Sequence, residues 1–129
     1  MHAVDSNVLV RLLTGDDAGQ TKRAAALFKK QTVYLSKTAL LETEWVLRRL
    51  YRLEHKVVVS ALRKVSGLAN VEIENPLVIT QALRWCDGGM DFADALPLAS
   101  SHASEKFATF DAHLKKSSPK DTKQSIVLL

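Results

Sequence analysis

Four acidic residues, Asp5, Glu42, Asp94 and Asp111, stand where a parallel α/β fold can present carboxylates along one edge. Asp5 follows a short apolar stretch and precedes the periodic run Val8, Leu9, Leu12, Leu13. Asp111 ends the β-rich segment Phe107–Asp111. Glu42 falls in the first turn or two of a strongly helical segment, and Asp94 at the start of an Ala-rich one. In an open parallel sheet, ligands bind outside the carboxyl ends of the strands, where the following helices also begin. Clustered carboxylates repel and at neutral pH need a proton or a cation. Ligands that are all oxygen suit Mg²⁺ or Mn²⁺ rather than a softer metal. One or two such ions can activate water and stabilise the leaving oxygen in phosphodiester cleavage. Aspartate is also a common helix cap. Capping is the better account of any one of these aspartates alone, and a site the better account of the set.

Neighbouring acids need a choice. Glu42 and Glu44, two apart on a helix, point to different sides. Glu42 is the nearer to the helix start, although the apolar pattern does not separate them. Asp94, rather than Asp91, opens the Ala-Leu run. The four histidines, His2, His55, His102 and His113, have no ligand spacing and read as structural or surface residues. Trp45 and Trp85, on helical patterns, read as core or interface. Arg48, Arg49 and Arg52 with His55 and Lys56 read as a solvated helix end. Lys115, Lys116, Lys120 and Lys123, just past Asp111, are better placed to meet a polyanion.

The elements that must position these residues alternate. A strand precedes Asp5 and a helix follows it. Asp16-Asp17 opens a helix over 18–30, with Lys29 and Lys30 suited to the dipole at its end. Thr32–Ser36 reads as a strand and Thr38–Arg52 as a helix. A helix over His55–Ser66, ending near Gly67, and a strand over Val71–Glu74 follow. Pro76 suits the first turn of a helix through Trp85, stopped at Gly88-Gly89. The Ala-rich helix then runs to about Glu105, a strand covers Phe107–Asp111, Lys115–Lys123 reads as loop, and Ser125–Leu129 as a last strand closing the sheet edge. This alternation predicts a parallel sheet with helices on both faces.

The 129 residues fit one domain, 1–129, with enough chain for a real core. A single cysteine, Cys86, excludes an intramolecular disulfide and a thiolate metal cage, and fits a reducing, cytoplasmic setting. No apolar run reaches the ~20 residues of a membrane span, and the polar corner at Asp5 is unlike a signal peptide. The net charge of +4 gives at most mild attraction for a polyanion.

In order along the chain, Asp5-Ser6-Asn7-Val8-Leu9 resembles the opening motif of PIN-domain ribonucleases. Leu41-Glu42-Thr43-Glu44-Trp45-Val46-Leu47 resembles the Glu-x-x-Trp-Val-Leu stretch of the VapC-type toxins. Asp91-Phe92-Ala93-Asp94-Ala95-Leu96 is similar to their third motif and Thr109-Phe110-Asp111 to the fourth. Each motif alone is weak; four in order are specific. The resemblance implies a Rossmann-like three-layer α/β/α sandwich with a central parallel sheet. It implies an Mg²⁺- or Mn²⁺-dependent endoribonuclease acting as the toxin of a toxin–antitoxin pair. Carried over by motif, Asp5, Glu42, Asp94 and Asp111 form the acidic quartet, Asp91 is a frequent extra acid, and Ser6, Asn7 and Thr109 are supporting polar positions. An RNA substrate, a toxin homodimer and an antitoxin that inserts a basic residue among the carboxylates are implied as well.

Pro97 departs from the family, which usually has an aliphatic residue there. If Asp94 is the N-cap of its helix, Pro97 lies in the first turn, where its missing N–H costs nothing; this is the expectation adopted. A helix starting at Phe92 would instead be kinked by it. Two other functions compete. A non-catalytic PIN scaffold would lack quartet acids, and none is missing. A haloacid-dehalogenase-like phosphatase needs a second acid two residues after its first, where this chain has Asn7.

Overall fold

Most helices here begin at a side chain that caps them. Asp5, Asp17, Ser36 and Asp111 each accept a backbone N–H from the first turn of the helix that follows. The computed structural model describes residues 1–129, in two compact units, Met1–Pro76 and Leu77–Leu129.

The first unit runs β1 (His2–Ala3), α1 (Ser6–Thr14), α2 (Ala18–Lys30), β2 (Val33–Leu35), α3 (Lys37–Arg49), α4 (His55–Ser66) and β3 (Val71–Ile73). Its strands pair in parallel in the order β1-β2-β3, with Ala3 opposite Tyr34 and Leu35 opposite Ile73. Parallel pairing puts the ends of β1 and β2 on one edge, so Asp5 and the start of α3 share it. Leu9, Val33, Leu35, Leu40, Leu47 and Leu62 are buried in its core.

The helix expected over Thr38–Arg52 stops at Arg49. The Leu50 and Tyr51 N–H groups both donate to the Val46 carbonyl, and Arg52 then turns left-handed at φ 54°. No Gly or Pro marks this stop. The Tyr51 hydroxyl is instead tied to Asp16 and to Arg11, contacts from distant sequence that end the helix.

The second unit holds most of α5 (Pro76–Asp87), then α6 (Phe92–Ser100), β4 (Lys106–Thr109), α7 (Ala112–Ser117) and β5 (Ser125–Leu128). β4 and β5 pair in parallel, Lys106 opposite Ser125 and Thr109 opposite Leu128. Ile79, Ala82, Cys86, Phe92, Ala95 and Leu98 are buried in this unit.

Three expectations are corrected here. The Ala-rich helix ends at Ser100, not near Glu105. The buried Gln124 amide donates to the Leu98 and Ser101 carbonyls and so closes the helix from outside. The segment read as loop from Lys115 contains the end of α7, whose Leu114 is buried and whose Lys115 and Lys116 suit a helix C-terminus. Finally, Asp94 is not an N-cap. The α6 N-cap is Asp91, whose carbonyl accepts from the Asp94 and Ala95 N–H groups. Asp94 lies inside the first turn and Pro97 beyond it, within the helix. Pro97 is exposed, so water can reach the carbonyl that its ring leaves without an N–H donor.

Candidate functional site

In the first unit, Asp5 stands just past β1 and uses Oδ1 to accept the Val8 N–H at 3.2 Å. Its Oδ2 has no protein partner. Ser6, the next residue, is buried and donates its hydroxyl to Glu42 Oε2 at 2.7 Å. This bond ties the start of α1 to the second turn of α3 and fixes one oxygen of Glu42, leaving Oε1 open. Glu42 is exposed and Glu44 is only 4% exposed, paired with Arg48 at 2.8 Å. The two glutamates therefore have different surroundings, one at the edge beside Ser6 and one sealed in the helix packing. Asn7 is exposed and its amide makes no hydrogen bond.

In the second unit, Asp111 stands just past β4 and its Oδ1 accepts the His113 and Leu114 N–H groups at 2.9 and 3.2 Å. Thr109 Oγ1 accepts the Asp111 N–H at 3.0 Å and fixes the backbone that carries the carboxylate. Asp91 and Asp111 are close enough to Asp94 to act on its charge. Burial, then Asp91 and Asp111, push the Asp94 carboxyl above its ordinary range, and His113 opposes them. Asp91, Asp94 and His113 line one cavity of about 580 Å³, together with Trp85 and Arg84. Arg84 is paired with Asp121, and Asp121 also accepts the Trp85 indole N–H at 2.8 Å. That indole bond first, then Gln81 and Arg84, hold the Asp121 carboxyl below its ordinary range.

His113 was set aside in the sequence as structural or surface. It is exposed, and it stands beside Asp94 because α7 follows Asp111 directly. Residues 112–114 carry no element in the sequence reading, so nothing there places His113 beside Asp94. Trp85 is buried and Trp45 is about half exposed. Of the basic residues, Arg48 is taken by Glu44, and Lys115, Lys116, Lys120 and Lys123 are exposed.

Two kinds of donor thus occur: strand-end aspartates with one oxygen fixed by a helix and one open, and nearby acids whose carboxylates accept no helix N–H. No three His, Cys, Asp or Glu side chains are gathered into a ready metal-binding group. Mg²⁺ does not require one, since it keeps several waters and takes one or two carboxylates. Charge acts over longer distances than coordination, which is why Asp94 senses its neighbours without forming a cage with them. Hard oxygens with open positions therefore fit a hydrated divalent ion.

The PIN-domain family model matches residues 3–118. The chain belongs to the PIN-domain family. No curated protein matches it. The match runs through both units and takes in Asp5, Glu42, Asp91, Asp94 and Asp111. PIN domains have a nuclease-type fold and are generally metal-dependent nucleases. The parallel strands and seven helices agree with the three-layer α/β/α architecture of a PIN domain. No helix is long and apolar enough to cross a membrane.

Proposed function

We propose that this PIN domain is a metal-dependent endoribonuclease and the toxin of a VapC-type toxin–antitoxin pair. One observation carries the reading: a chain matching the family over residues 3–118 keeps an acid at each of Asp5, Glu42, Asp94 and Asp111. In this reading the four act as one set on Mg²⁺ or Mn²⁺, with Asp91 as an additional ligand, and residues 1–129 work as a single domain. When bound, the ion supplies Lewis acidity at the phosphoryl group and neutralises charge on its oxygens. The chain's own contribution is positioning. Ser6 holds Glu42 by one oxygen, Thr109 holds the backbone of Asp111, and the α1 and α7 N–H groups hold Asp5 and Asp111 in one rotamer. Asn7, free at the same edge as Asp5, positions water or a phosphate oxygen.

The proposed partners follow the same reading: single-stranded RNA, a second copy of the chain and an antitoxin with a basic residue for the carboxylates. Trp45, Leu50 and Val57, all about half exposed or more in the first unit, are available to a protein partner. Lys115, Lys116, Lys120 and Lys123 are available to phosphates. The working compartment is the cytoplasm.

The test is cleavage of a generic single-stranded RNA in Mg²⁺, Mn²⁺ or EDTA, with Asp5→Asn alongside. Divalent-dependent cleavage that Asp5→Asn abolishes is expected. Full activity of Asp5→Asn overturns the site, and RNA binding without cleavage makes the chain a scaffold. For the toxin role, expression should slow growth and an adjacent small open reading frame should relieve it. No growth effect, with a monomer at high concentration, removes that role and leaves the nuclease.

A further inference from the structure

The surface between α1 and α2 holds a cavity of about 380 Å³, and apart from Asp5 and Asn7 the chemistry above leaves its lining unused. Val8, Ala24 and Leu27 supply its apolar lining, and Asp5 lies at its border. Three polar heads complete it: the amides of Asn7 and Gln20 and the guanidinium of Arg23.

The partners of these heads decide what the cavity can take. Arg11 also lines it, but Arg11 is engaged: its Nε donates to Gln20 Oε1 at 2.7 Å and its Nη1 pairs with Asp16 at 3.1 Å. Gln20 is therefore held by its oxygen, with its amide N–H groups unmatched. Arg23 is exposed and has no carboxylate partner. Asn7 is exposed with both amide functions unmatched. The site offers an apolar contact, amide groups that can donate and accept, and one guanidinium without a carboxylate partner.

We infer that this cavity seats one unpaired nucleotide of the RNA substrate, its base on the Val8, Ala24 and Leu27 lining and a flanking phosphate on Arg23. The inference rests on the RNA-cleaving reading given above. The volume lies at the low end of small-ligand pockets, ~300–1,000 Å³, which suits one nucleoside. Splayed, unstacked bases are how proteins read single-stranded RNA, and side-chain amides match base edges that carry a donor beside an acceptor. A free guanidinium matches a phosphate in a bidentate pair. An apolar peptide side chain would cover the lining but leave the two amides and the guanidinium unmet. Asp5 at the border places the seated nucleotide next to the proposed reacting phosphate.

The experiment measures binding first, so that it does not depend on activity. A fluorescent ten-nucleotide single-stranded RNA is titrated in EDTA with the intact chain, Arg23→Ala, Gln20→Ala and the neighbouring surface control Lys22→Ala. Arg23→Ala should weaken binding about tenfold at low salt and lower the slope of log affinity against log salt by about one. Lys22→Ala should stay within about twofold. In Mn²⁺, Arg23→Ala should raise KM with kcat little changed. A 4-thiouridine-labelled RNA should cross-link to residues of α1 and α2. Equal effects of Arg23→Ala and Lys22→Ala, or cross-links confined elsewhere while the intact chain still cleaves, overturn the nucleotide seat and leave the nuclease reading standing. If the intact chain neither binds nor cleaves RNA, the nuclease reading fails and the seat falls with it.

Discussion

A carboxylate has two oxygens, and in this chain they have separate work. Asp5 and Asp111 each give Oδ1 to a helix N-terminus and keep Oδ2 open, so capping and ligation are not rival roles. Glu42 repeats the pattern with Ser6 in place of a helix end. Glu44 does not, being sealed beside Arg48. Glu42→Gln should therefore fold normally and lose about 100-fold or more in cleavage, the scale of one lost electrostatic stabiliser. Glu44→Gln should keep its cleavage rate at low temperature but lose about 1–3 kcal/mol of stability, the scale of a charge-assisted hydrogen bond. Urea unfolding and RNA cleavage on both variants check the pair. Asp94 gives a pH signature. Its raised pKa means that the folded chain keeps the proton to higher pH than the unfolded chain does. The resulting penalty is absent below the ordinary value of 3.8, grows as pH rises through the window up to the folded value, and is constant above it. Asp94→Asn should thus be slightly more stable than the parent at neutral pH without metal, by less than about 1 kcal/mol. The advantage should vanish in acid and be reversed by Mn²⁺. Thermal melts across pH measure it. The positions of Asp5 and Asp111 were readable because a strand ending in an aspartate is a local pattern. The Ser6–Glu42 bond was not, since it joins residues 36 apart in sequence.

At the scale of elements, two helices with clear end signals match their expected bounds. The helix over 18–30 after Asp17 and the one ending at Gly67 have the expected bounds. Two of the errors fall where a distant residue acts: Tyr51 with Asp16 at the end of α3, and Gln124 at the end of α6. Local composition carries no record of either. α7 was missed because Ser and Lys outweigh the one buried residue, Leu114, that a six-residue helix needs. Asp111 allows cap and site to be separated. Asn caps as well as Asp, so Asp111→Asn should keep stability within about 0.5 kcal/mol while losing cleavage. Asp111→Ala should lose cleavage and about 1 kcal/mol. A matched loss of stability in both variants would mean that charge, not capping, holds α7. Pro97 lies in the body of α6, where it denies the preceding turn an N–H. Pro97→Ala should raise the urea midpoint, by up to about 3 kcal/mol in free energy. An unchanged or lower midpoint would mean that the packing of α6 depends on the ring.

The whole chain alternates helix with parallel strand, and that class was readable from period and punctuation alone. Its division into units at Pro76 was not, because no linker composition marks it. The division gives the buried thiol a use. Cys86 is the only cysteine, 1% exposed, and belongs to α5 in the second unit. A thiol so placed reacts with a disulfide reagent only when its surroundings open. The labelling rate is therefore a clock for the second unit alone, with no residue added or removed. Trp45 in the first unit and Trp85 in the second give each a separate fluorescent report. If Asp91, Asp94 and Asp111 hold a divalent ion, Mn²⁺ should slow Cys86 labelling severalfold by stabilising the closed form. Mass spectrometry at timed intervals reads this directly. A rate indifferent to Mn²⁺ would place the ion's grip elsewhere, even in a chain that cleaves. The one thiol, which takes no part in the chemistry, thus becomes the timekeeper of the unit that carries Asp94 and Asp111, half of the proposed quartet.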